Sequence, residues 1–162
     1  MKLISVLVLV AELLSGRSLG AEAGTAREAD LQAALKTAND ALSAGRIARV
    51  EVYYLPTNVL TRVRVSPKWL DENFEYKLII SHIPGWKKIP SLAATLKEMR
   101  PASTSMQPDL RWACVLYEAN GKRLLELYLD GSGTNGVIQG HTVLVNDVMH
   151  KWLVSNTAGC FD

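Results

Sequence analysis

The chain has 162 residues, with 18 Lys and Arg against 16 Asp and Glu, a formal net charge of +2 and a mean hydropathy of +0.07. A charge balance this even excludes nucleic acid or an anionic membrane surface as a partner selected by bulk charge. Two cysteines are too few for a disulfide-dense scaffold, and they and the three histidines lack the paired ligands at fixed short spacing of a zinc pattern.

Residues 1–23 have the three-part layout of a signal peptide. Lys2 supplies a basic n-region, Leu3 to Ala11 forms the apolar run, and Ala21-Glu22-Ala23 is an A-x-A cleavage motif. Glu12 is an unwelcome charge at the end of that run. The run is shorter than the roughly 20 residues a bilayer span needs. The expectation is export to the periplasm or the medium, with removal of 1–23 and a single globular domain at 24–162. Cleavage takes away Lys2 and Arg17 with Glu12 and Glu22, so the formal charge stays +2.

Residues 25–44 read as an amphipathic helix, with Leu31, Leu35, Ala38 and Leu42 on one face and Gly45 as the stop. The period then changes to two. Val50, Val52 and Tyr54 alternate with Arg49, Glu51 and Tyr53; Pro56-Thr57-Asn58 interrupts; Val59, Thr61, Val63 and Val65 alternate with Leu60, Arg62 and Arg64. Two strands, 49–54 and 59–65, are expected. Ser66-Pro67 starts a short helix to about Phe74, and Tyr76 to Ser81 is an apolar strand.

His82 to Lys88 reads as a loop around Pro84-Gly85, and Pro90 to Met99 as a helix. Pro101 to Pro108 is a polar connector. Asn120-Gly121 is the preferred pair for a two-residue type I′ hairpin turn. That turn sets Trp112, Cys114 and Leu116 opposite Leu129, Leu127 and Leu125, with Arg111 facing Asp130 and Arg123 facing Glu118. A one-residue slip would mix the apolar and polar faces. Gly131 to Gly136 is a turn, Val137-Ile138 and Thr142 to Val145 a shorter hairpin, and Asn146 the expected cap of a terminal helix through about Ser155. Strands in runs, not alternating with helices, predict an α+β fold. The sheet is mainly antiparallel, of about six to seven strands including the 111–130 hairpin. An N-terminal helix, two short middle helices and a C-terminal helix complete it.

Cys114 and Cys160 are an even pair in a chain marked for export, and a disulfide between them is expected. It would close a loop of about 45 residues, a stabilisation of about 3–4 kcal/mol in the chain-entropy model. No catalytic residue, metal ligand set or cofactor site is assigned. The glycine-rich turn at 131–136 lacks Gly-Lys-Ser or Gly-Lys-Thr and precedes a strand, so it is not a phosphate loop. His141, Asp147 and His150, or Cys114 as a nucleophile, are the residues a small exported hydrolase would have to use.

Trp86, Lys87 and Lys88 in the 82–88 loop, with Arg62 and Arg64 on one strand face, are the binding candidates, since Trp and Arg are enriched at hot spots. The functional expectation is a non-catalytic exported protein that binds another protein of the cell envelope, as an inhibitor or immunity-type protein does. An exported hydrolase and a structural envelope component are the alternatives. Nothing in the sequence specifies an oligomeric state.

Overall fold

The computed structural model describes residues 19–81, 88–157 and 160. The n-region and apolar run of the expected signal peptide lie outside them, as do Trp86 and Lys87. The chain order is α1 (Leu19–Ser43), β1 (Ile47–Tyr54), α2 (Pro67–Asn73), β2 (Tyr76–Ser81), α3 (Lys88–Glu98), β3 (Ala102–Ser103), β4 (Leu110–Glu118), β5 (Arg123–Asp130), β6 (Asn135–Ile138), β7 (His141–Leu144) and α4 (Val148–Thr157). The seven strands form one sheet in the order β2-β1-β4-β5-β6-β7-β3. Every pairing is antiparallel, which makes the fold α+β.

The two sheet faces are covered differently. On one face the inward residues Val50, Val52, Ile80, Cys114, Leu116, Leu125, Leu127 and Ile138 meet a helix layer. That layer supplies Leu31, Leu35 and Leu42 from α1, Leu92 and Leu96 from α3, and Met149 and Leu153 from α4. The helical spacing in 25–44 thus lies against the sheet, although α1 begins earlier, at Leu19, and runs through Ala21-Glu22-Ala23. At its other end Gly45 N–H donates to Leu42 C=O (3.1 Å) and Arg46 N–H to Ala41 C=O (2.9 Å), the paired bonds that close a helix with glycine just past its end. The second face holds a smaller core of Tyr53, Leu55, Val65, Leu70, Leu110, Val115, Tyr117 and Tyr128. It is covered by α2 and the irregular segment 55–66.

That segment corrects one expectation: 59–65 is not a strand. β1 already has β2 on one side and β4 on the other, so no ladder position beside it is free. The valine alternation goes instead to partial burial. Val65 enters the second core, while Leu60 is 95% and Val63 67% exposed. Ser66 caps α2 as expected, accepting from Trp69 N–H at 3.3 Å.

In the 111–130 hairpin the three expected core pairs form: Trp112 with Leu129, Cys114 with Leu127, Leu116 with Leu125. The turn is a different one. Gly121 N–H donates to Glu118 C=O (2.9 Å) and Glu118 N–H to Lys122 C=O (3.0 Å). Gly121 has φ +81° while Asn120 stays at negative φ. This is a three-residue loop, a type I turn closed by a glycine in the left-handed region. The added residue shifts Arg123 opposite Tyr117, and a bulge past that pair restores the register at Leu116 and Leu125. A second bulge, at Arg111, sets Leu110 opposite Asp130. Both expected charge pairs are lost to these bulges: Arg123 binds Asp71 (2.8 Å) and Glu126 (3.3 Å), and Arg111 binds Asp109 (2.6 Å). A two-residue turn occurs instead between β6 and β7, at Gln139-Gly140, with φ +49° and +81°.

The 101–108 connector contributes the short strand β3, which pairs with β7. Asn146 does not cap α4. Its side chain accepts from Arg100 N–H (3.1 Å) and donates to Glu98 C=O (3.0 Å), closing the end of α3.

Candidate binding surface

Of the five expected binding residues, only Arg62 and Arg64 have described side chains; Lys88 opens α3 with its side chain outside the description. Both arginines are exposed, on the loop between Pro56 and Ser66 and not on a strand face. With Leu60 and Val63 they make a projecting tip that alternates aliphatic and cationic groups. No Asp or Glu occurs between Glu51 and Asp71, so no acid within the loop neutralises it.

The loop is braced from below by a residue that sequence reasoning missed. Arg111 leaves its ladder position at the bulge and is nearly buried. Its guanidinium donates to Val59 C=O (2.9 Å) and Pro56 C=O (3.3 Å) and to Asp109 Oδ2 (2.6 Å). Asp109 Oδ1 accepts from Val65 N–H (2.8 Å). Leu110 N–H donates to Val65 C=O (3.2 Å), and Arg64 Nη1 to Gln107 C=O (3.0 Å). Burial acts to raise the Asp109 carboxyl, but the Val65 N–H and the Arg111 and Arg64 cations outweigh it and hold it below the ordinary value. A buried arginine satisfied by two carbonyls and a carboxylate fixes a loop that has no ladder of its own. The available signal was the placement of Arg111 inside an otherwise apolar strand.

A second polar group lies on the open part of the same sheet face. Glu51 is buried and accepts from the Tyr53 hydroxyl, from Arg49 Nε (2.9 Å) and from Lys77 Nζ (3.3 Å). Desolvation works to raise its carboxyl, and those three donors together bring it below the ordinary value. Burial and the bond to Glu51 push the Tyr53 hydroxyl well above the usual phenol range. Arg49 stacks over the Tyr117 ring at 4.0 Å and Lys77 over the Tyr53 ring at 5.1 Å. Beside them Tyr128 donates to Asp71 Oδ1 (3.0 Å), which Arg123 also binds through Oδ2. The charges here satisfy one another, which is how a structural network is built.

The hydrolase candidates do not assemble. Cys114 lies fully buried between the sheet and the helices, and desolvation pushes its thiol up to about 12, which leaves no thiolate near neutral pH. Asp147 pairs with Lys151 at 2.7 Å, while His150 packs edge-on to Trp112 at 6.1 Å. Among the described residues no group of three His, Cys, Asp or Glu is placed to hold a metal ion. Cys160 is exposed, and both cysteines are free thiols, so the expected bond is not formed in this structure. The 131–136 turn is ordered by Asp130, whose carboxylate accepts from Ser132 Oγ (2.8 Å), Thr134 N–H (3.2 Å) and Asn135 Nδ2 (2.8 Å).

Comparison with protein-family models, with curated proteins and with solved structures finds no match to this chain.

Proposed function

We propose that this is an exported, non-catalytic binding protein that acts on another protein of the cell envelope, in the manner of an inhibitor or immunity protein. The observation that carries the reading is the braced 59–64 tip. Leu60 and Val63 are presented to solvent beside Arg62 and Arg64, on a loop anchored by the buried Arg111. Exposed aliphatics on a fixed loop are preorganised for a partner, because less conformational entropy is lost on binding. The cations select an acidic rim on that partner and set the encounter rate. The sequence layout of residues 1–23 supports export.

The test uses a photo-crosslinking residue at Leu60 in the exporting cell, with the same residue at Val154, which is partly exposed on α4, as control. One discrete protein adduct is expected at Leu60 alone, and Arg62→Glu with Arg64→Glu removes it. An adduct at both positions, or at neither, overturns the reading. N-terminal sequencing of exported material gives a start near Gly24; a product that retains Met1 to Ala23 defeats the export half.

A further inference from the structure

The two edges of the sheet are unequal. β3, at one end, is two residues long, and a short edge offers little to pair with. β2, at the other end, is six residues long and runs against β1 through six consecutive pairs with no bulge. It contains no proline. Its one charged residue, Lys77, is turned onto Glu51 at 3.3 Å and over the Tyr53 and Phe74 rings. A lysine so neutralised does not guard the edge as edge lysines do. Ile79, on the open face beside it, is 53% exposed.

We propose that β2 pairs antiparallel with β2 of a second copy of this chain, about a two-fold axis at Ile79, joining two seven-stranded sheets into one. The strand is self-complementary in this register. Ile79 faces its own counterpart, Leu78 faces Ile80, and Lys77 faces Ser81, so apolar residues meet on both faces and no like charges stand opposite. Centring the axis on Leu78 would place Lys77 opposite Ile79 and lose that match. A two-fold contact that uses one patch on both copies closes at the dimer. This surface is separate from the 59–64 tip, and its test reads mass and not partner binding.

Sedimentation equilibrium over a dilution series is expected to give a reversible dimer. Ile79→Lys sets two lysines opposite each other at the axis and is expected to give only monomer, with an unchanged far-ultraviolet spectrum. Ile79→Cys in a Cys160→Ser background is expected to cross-link completely on mild oxidation, since directly opposed strand residues lie about 4.5–5.5 Å apart between Cα atoms, within disulfide reach. Monomer at every concentration, a dimer that survives Ile79→Lys, or failure of the Ile79→Cys variant to cross-link each overturns the proposal.

Discussion

Gly133 lies directly against His150: a Cβ on the glycine would stand 2.1 Å from the histidine Cβ and 2.3 Å from Cγ. The β5–β6 turn therefore meets α4 at a residue with no side chain, and Gly133 adopts φ +73°. Gly133→Ala adds both a clash and a left-handed alanine. It is expected to destabilise by about 3 kcal/mol or more, against about 1 kcal/mol for Gly121→Ala. The latter has φ +81° and nothing within 4 Å of the added Cβ. Urea unfolding of the two variants checks this; equal costs would mean that α4 yields freely at His150.

Arg111→Ala removes the side-chain donor from Val59 C=O and from Asp109 Oδ2, while Pro56 C=O keeps Val59 N–H and Asp109 Oδ1 keeps Val65 N–H. A loss of about 1–3 kcal/mol is expected, the scale for leaving a buried acceptor without its donor, because Arg111 is nearly buried while its partner Asp109 is 41% exposed. The 55–66 backbone should also gain amide exchange while the α1 amides keep their protection. Hydrogen exchange read by mass spectrometry separates the two regions.

Acid should weaken the protein through Glu51. Its folded carboxyl titrates below the ordinary value of 4.5, so the stabilisation is complete above that value and is lost as the pH falls through the lower, folded value. Glu51→Gln removes this linkage. The variant should be less stable than the parent at neutral pH, and its urea midpoint should fall less steeply below about pH 4.5. Parallel pH profiles for variant and parent would remove Glu51 as a source of acid sensitivity.

The cysteines differ in access. Iodoacetamide is expected to modify Cys160 in the native protein and Cys114 only after unfolding, since one is exposed and the other buried. Protein that takes up no reagent on unfolding until it is reduced would carry the Cys114–Cys160 bond, with an intact mass about 2 Da lower.

The register of the central hairpin was legible because one face of each strand is apolar. Trp112, Cys114 and Leu116 must meet Leu129, Leu127 and Leu125, and a slip by one residue turns every side chain over. The type of turn was not legible. Asn-Gly suits both a two-residue turn and a three-residue turn closed by glycine, and a bulge absorbs the difference without disturbing the core. Helix α1, the Ser66 cap and strand β2 rest on local spacing and local chemistry, and were likewise readable.

Long-range competition decided the rest. Val59 to Val65 has the period of a strand, but pairing needs a vacant neighbour, and β1 is occupied on both sides. Arg62 and Arg64 were visible as cations, whereas the rigidity of their loop depends on Arg111, some fifty residues away in sequence. Sequence periodicity determines which face of an element is apolar, because burial of that face is the main favourable term in folding. Only the tertiary structure determines which polar groups end beside one another, because each buried donor and acceptor must find a partner wherever the packed chain offers one.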